Sequence, residues 1–264
     1  MTGAGAGTRR RSKWRTYVPA ILLFLAALGI WELWVVARDV PTYLLPRVSE
    51  IGIELGEQGW SLFRHLRWTM LEAVLGFLAG STAAFLAAVI FVHMRAVEGA
   101  LFPWAIVLQT IPIVAIAPLL TIWFGFTLVP KVVIAAIICF FPVLVNTARG
   151  LRSISAQAVE LMSVLSARKT AVFWRLRVPS SLPYVFAGLR IASTLAVIGA
   201  IVAEFTGADR GIGFVIIQAS YRLDTKRLFA GLVLSSAGGI VFFNLIGLLE
   251  RLTVRWPGAR LQES

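Results

Sequence analysis

Residues Gly99–Phe124, GALFPWAIVLQTIPIVAIAPLLTIWF, form a long run without a single charged side chain. About 20 consecutive apolar residues are enough to cross the hydrocarbon core of a bilayer, where a helix satisfies its own backbone. The run therefore reads as a transmembrane helix. Five further runs flank it. Val18–Ala37 carries only Glu32, Thr69–Val92 only Glu72, and Val132–Ala148 and Leu228–Leu249 carry no charge. Pro183–Phe205 holds Arg190 and Glu204 on either side of the apolar stretch Ile191–Ala203. The expected fold is all-α, a polytopic membrane protein of six transmembrane helices.

Composition agrees with that reading. Hydrophobic residues make up 58% of the 264 positions and charged residues 14%, whereas soluble domains are about a quarter charged. The lone cysteine, Cys139, excludes a disulfide scaffold. A formal charge of +12 on such a chain points to cytoplasmic flanks and anionic membrane lipid rather than to nucleic acid. With both termini placed in the cytoplasm, 16 of the 25 Lys and Arg residues fall on that side. The basic start (Arg9, Arg10, Arg11, Lys13, Arg15) resembles a signal peptide. The apolar run behind it is too long, however, and no small-x-small cleavage site closes it, so the first span is expected to stay. The expected organisation is a cytoplasmic tail over 1–17, one six-span domain over 18–250, and a second cytoplasmic tail over 251–264. Two outer segments have helical spacing. Pro41–Arg67 reads as an interfacial helix through Ile51, Leu55, Trp60 and Phe63, and Gly213–Ala219 as a short helix at the bundle mouth.

The segment between spans four and five, about 149–182, is long for a connector. QAVELMSVL (157–165) spaces Val159, Met162 and Leu165 along one helical stripe; RKTAVFWRLRV (168–178) places Val172, Phe173 and Leu176 on one face, with Pro179 expected to end the second helix. Composition alone fits equally a two-helix knob gripped by another protein and an amphipathic hairpin lying on the inner leaflet.

In Glu160-Leu161-Met162-Ser163-Val164-Leu165-Ser166-Ala167, followed by Leu176-Arg177-Val178-Pro179, this segment resembles the EAA motif of binding-protein-dependent ABC transporter permeases. The continuation LPYVFAGLRIA (182–192) is similar to the start of the next span in that family. Two departures stand out. Leu161-Met162 replaces the usual small pair, and Ser166 replaces a glycine whose left-handed backbone serine tolerates less readily. The resemblance extends to Leu45-Pro46 with Ser49-Glu50, to QTIPIVAIAPL (109–119), and to Ile122–Gly125. It continues through Lys131, Phe140–Pro142 and Asn146, then Glu204–Gly207, and Gly211–Gly213. These runs look like the nitrate, sulfonate and taurine branch, and the third-span run like its riboflavin or thiamine-precursor pyrimidine subgroup.

The resemblance implies a permease subunit of an ABC importer in the bacterial inner membrane that passes a sulfonate, taurine, nitrate, pyrimidine or riboflavin type of nutrient. The implied partners are an ABC ATPase subunit, an extracytoplasmic solute-binding protein and a second copy of the chain, with no cofactor. The ATPase-coupling loop would comprise Glu160, Leu161, Met162, Leu165, Ser166, Ala167, Arg168, Phe173, Arg175 and Pro179. Docking is expected to rest on Met162, Leu165 and Phe173.

Polar and helix-bending residues inside spans are the candidates for a translocation pathway: Gln109, Pro112, Pro118, Asn146 and Glu204. Asn146 is also expected to form a helix–helix hydrogen bond, and Glu204 is open to an ion pair with Arg210 or a gate role. Glu32 and Glu72 are expected to reach water at the outer boundary. Gly76, Gly80, Gly238 and Gly239 should permit close helix approach. The two histidines, His65 and His93, fall on opposite sides, which leaves no metal ligand set or nucleophile triad, and no phosphate-cradling G-x-x-x-x-G-K-[ST] loop occurs. The chain is therefore expected to be no enzyme. The rival readings are a proton-coupled secondary transporter using Glu204 or Glu32, and a membrane-embedded lipid-modifying enzyme with its site in 149–190.

Overall fold

The computed structural model describes residues 13–254, so most of the basic N-terminal tail and the end of the C-terminal tail lie outside the described residues. Ten α-helices follow in order: α1 Lys13–Ala37, α2 Val48–His93, α3 Arg95–Thr110, α4 Ile113–Phe124, α5 Leu128–Arg152, α6 Ala156–Val164, α7 Lys169–Val172, α8 Val178–Glu204, α9 Ile212–Tyr221 and α10 Thr225–Thr253. A π-helical turn, Phe173–Arg177, joins α7 to α8. Among the described residues there is no strand. Among the described residues five helices are long and apolar enough to cross a membrane, and α3 with α4, bent by 95° at the break between them, counts as a sixth when the pair is taken as one span.

The centre of the bundle is the triple contact of α2, α5 and α8. Small residues make it possible. A Cβ on Gly76 or Gly80 of α2 would overlap Ala135 and the Ala136 carbonyl of α5, so these two helices touch backbone to backbone. Between lipid-soaked helices such close packing replaces the hydrophobic effect as the cohesive force. Phe77 and Phe242 meet edge to face at 5.1 Å and tie α10 to the same core. Gly239, expected at a helix contact, has nothing within 4 Å. Helix α1 stands at the periphery; of its described apolar side chains only Val35 is buried, while Leu22, Leu23, Phe24 and Leu33 face outward, as lipid-facing residues do. Trp31 against Phe229, and Glu32 accepting from the Ser49 hydroxyl at 2.7 Å, fasten it to α10 and α2.

Two expectations on helix extent change. The segment read as a separate interfacial helix is the first part of α2, which runs unbroken for 46 residues. From Glu72 to His93 it rises about 31 Å, the thickness of a hydrocarbon core. The preceding residues project beyond it, and Leu62 and Leu66 pack on Ile212 and Ile216 of α9. Pro179, expected to end the second loop helix, ends nothing, because helix runs from Lys169 through Glu204. A proline ring ordinarily collides with the carbonyl four residues earlier. Here the preceding turn is wound wide, with Val178 N–H bonded to the Phe173 carbonyl five residues back, and the chain continues past the proline.

Candidate functional site

Three groups of side chains stand out. The first is the knob made by α6, α7 and the π turn. Ser155 caps α6 by accepting from Ala158 N–H. At the other end Ser166 has φ +51°, Ala167 N–H bonds to the Met162 carbonyl and Ser166 N–H to the Ser163 carbonyl, both at 2.9 Å. This pair of bonds is the Schellman termination usually built on glycine. The serine substitution therefore leaves the turn in place. Leu161, Val164, Leu165 and Trp174 are 60–77% exposed, an unusual apolar face for a projection. Met162 and Phe173, expected to lead docking, are half-buried; Phe173 packs on His93 at the end of α2. Glu160, Arg168 and Arg175 are exposed on the knob, Ala167 is half-buried, and Pro179 is half-buried within α8.

The second is a cavity of about 870 Å³ at the α3–α4 break, bordered also by α2, α5 and α8. Ile111 takes the extended backbone that precedes a proline, and Pro112 cannot donate to the α3 ladder. Gln109, Thr110, Phe140 and Phe141 line the space, and no lining residue is charged. Of the pathway candidates, Gln109 and Pro112 line it; Pro118, Asn146 and Glu204 do not. The expected interhelical bond of Asn146 is also absent: its amide donates to the Pro142 carbonyl of its own helix at 2.8 Å.

The third is a sealed polar cluster at the end of the bundle opposite the knob. Thr69, Glu72, Lys131 and Glu204 are each at most 5% exposed. Glu204 accepts from the Thr69 hydroxyl at 2.7 Å and from Gly213 N–H at 2.5 Å. The Thr69 oxygen accepts from Ile212 N–H at 2.7 Å, and His65 Nδ1 from Gly211 N–H at 3.1 Å. The first turn of α9 is thus capped by side chains of α2 and α8, with a carboxyl group at its positive end. Lys131 Nζ lies 3.5 Å from Glu72 Oε1. Glu72 does not reach water, because the cluster encloses it, and Glu204 has no ion pair with Arg210. That arginine pairs with Asp209 and lies 4.0 Å over the Trp68 ring. His65, Thr69, Glu72 and Lys131 were missed as a unit. The available signal was the i, i+4, i+7 spacing of the three α2 residues, which puts them on one face.

The sequence profile of binding-protein-dependent transport system inner membrane components matches residues 51–255. The formylaminopyrimidine transport permease protein ThiX of Halalkalibacterium halodurans is 36% identical over 89% of this chain and 94% of its own. The riboflavin transport system permease protein RibX of Chloroflexus aurantiacus is 33% identical over 92% and 90%. A putative aliphatic sulfonates transport permease protein SsuC of Bacillus subtilis is 30% identical over 94% and 90%. A chain matched over most of its length, with apolar helices of spanning length and an exposed knob on one end, belongs to the binding-protein-dependent transport system inner membrane components, the permease subunits of ABC transporters.

Proposed function

We propose that this permease carries a small, uncharged heteroaromatic nutrient, and that the α3–α4 cavity is its path. The observation that carries the reading is the cavity lining: two phenylalanines, the Gln109 amide and the Thr110 hydroxyl, with no cation to receive a sulfonate. Burying an anion in apolar surroundings without a partner costs several kcal/mol, whereas a flat ring stacks on aromatic faces and hydrogen-bonds to a single amide. Similarity to permeases named for formylaminopyrimidine and riboflavin supports the same class.

The family works with an ATPase and a solute-binding protein. In our reading the knob end and both termini are cytoplasmic, its basic residues meet anionic lipid, and a second copy completes the path. One six-span domain over 18–250 carries the transport function, with tails on either side. The ATPase grips Leu161, Val164 and Leu165, with Glu160, Arg168 and Arg175 setting orientation. Movement of the knob passes into an unbroken helix from Lys169 to Glu204, about 54 Å at 1.5 Å per residue, and so to the α9 end, where the binding protein docks.

The test is reconstitution of the chain with its ATPase and binding protein in liposomes. ATP-dependent uptake of formylaminopyrimidine or riboflavin, unaffected by excess taurine, is the expected result. Uptake of taurine or ethanesulfonate in preference to either heterocycle overturns the substrate class.

A further inference from the structure

The sealed cluster between α2, α5, α8 and α9 contains two carboxyl groups and one ammonium. Each oxygen of Glu204 already accepts a hydrogen bond, from Thr69 and from Gly213. Glu72 Oε1 faces Lys131. Glu72 Oε2 is buried without any donor, and the Glu72 side chain is 2% exposed. Thr69, which donates to Glu204, lies one turn before Glu72 on α2, so both buried carboxyl groups share the same enclosed cluster. Two bare carboxylates cannot satisfy one another, since neither has a hydrogen to give.

Among the described residues no donor reaches Glu72 Oε2. The Thr69 hydroxyl proton is committed to Glu204, and its oxygen receives Ile212 N–H. His65 turns its Nδ1 to Gly211 N–H. Arg210, the nearest guanidinium on the α9 side, is held over Trp68 and by Asp209. Among the described residues no group of His, Cys, Asp and Glu could hold a metal ion, and the ammonium of Lys131 already occupies the cationic position. A proton on one carboxyl supplies the hydrogen that the cluster lacks.

We propose that Glu72 and Glu204 bind a single resident proton, carried on Glu72 Oε2 and donated to Glu204. The cluster then holds one ammonium, one carboxylate and one carboxylic acid, and is neutral where it is shut away from water. Glu204 receives three hydrogen bonds, the third from Glu72. The proton thereby joins α2 to the residue that caps α9, and removing it leaves two anions pressed together beneath that helix.

The arrangement separates two conservative changes. Glu72→Gln keeps an oxygen for Lys131 and supplies an N–H where the proton sits. Glu204→Gln deprives either Thr69 or Gly213 of its acceptor. The test uses the full-length chain purified in lipid nanodiscs and compares infrared difference spectra with thermal unfolding. The expected result is a C=O stretch of a protonated carboxyl that shifts in deuterated water and disappears in Glu72→Gln, with unfolding of that variant close to wild type and well above Glu72→Ala. A wild-type spectrum without that stretch, or one that Glu72→Gln leaves unchanged, overturns the proposal. So does Glu72→Gln unfolding as early as Glu72→Ala. If the Glu72 variants fail to fold, loss of the same stretch in Glu204→Asp, which draws the carboxyl back by one methylene, supports the proton, and its persistence there overturns it.

Discussion

Gly211 sits flush against the Glu204 carboxylate, so that a methyl group on its α-carbon would overlap both carboxylate oxygens. Its φ of +107° is also closed to ordinary side chains. The Glu204 to Gly211-Ile212-Gly213 spacing is thus one device: a carboxylate at the end of α8 folded back onto the start of α9, with glycines where it lands. Gly211→Ala combines overpacking with backbone strain, each of order 1–3 kcal/mol, and should destabilise the chain by about 3 kcal/mol. Thermal unfolding in detergent reads the change, and a melting temperature equal to wild type would show that Glu204 can move aside.

Among the described residues Lys131 is the only ammonium against the two buried carboxyls. Removing one partner of a buried pair leaves an uncompensated charge and typically costs about 3–5 kcal/mol. Lys131→Met should therefore fall in that range, and Lys131→Arg, which keeps the charge, should lose less. Expression yield and unfolding temperature of the two variants distinguish this from a purely steric role, under which Met and Arg would rank the other way.

Much of this architecture was legible in the sequence, because lipid imposes a simple rule on length and charge. The span Val18–Ala37 matches the apolar part of α1, and the short helix at the bundle mouth appears as Ile212–Tyr221. What sequence reasoning could not see is where a charged residue near a span end points. Glu72 and Glu32 look alike on a hydropathy plot, yet the bundle buries one and leaves the other to hold Ser49. The unbroken path through Pro179 was equally hidden, since a π turn has no compositional mark.

Ser166 replaces glycine at the left-handed position that ends α6. A left-handed conformation costs a non-glycine residue about 1–2 kcal/mol. Ser166→Gly should relieve that cost and keep or strengthen ATPase binding. Ser166→Val, β-branched where φ is positive, should unmake the turn. Co-purification of the ATPase with each variant checks both, and equal capture by the two would separate the turn from docking.

The exposed face of the knob makes a further distinction. Leu161 and Leu165 are 60% and 68% exposed, while Phe173 is engaged by His93. If apolar anchors dominate the ATPase interface, Leu161→Asp and Leu165→Asp should each weaken ATPase binding at least tenfold, about 1.4 kcal/mol. Phe173→Ala should act mainly on the stability of the knob. Affinity titrations in detergent, run beside unfolding curves, place each residue in one column or the other.

Pro112 keeps α3 and α4 from forming one straight helix. Alanine there would restore an N–H able to bond to the Leu108 carbonyl and remove the ring that crowds it. The 95° bend would lose its covalent cause, and a straightened third span would fill space that Gln109 and Phe140 now border. Pro112→Ala should therefore hold or raise thermal stability while lowering ATP-driven uptake about tenfold or more, equivalent to about 1.4 kcal/mol in the barrier. The opposed signs carry the argument. A folding defect lowers both quantities together, and a bend that serves packing alone leaves uptake untouched. Only a break that forms the path gives a sturdier protein that transports less.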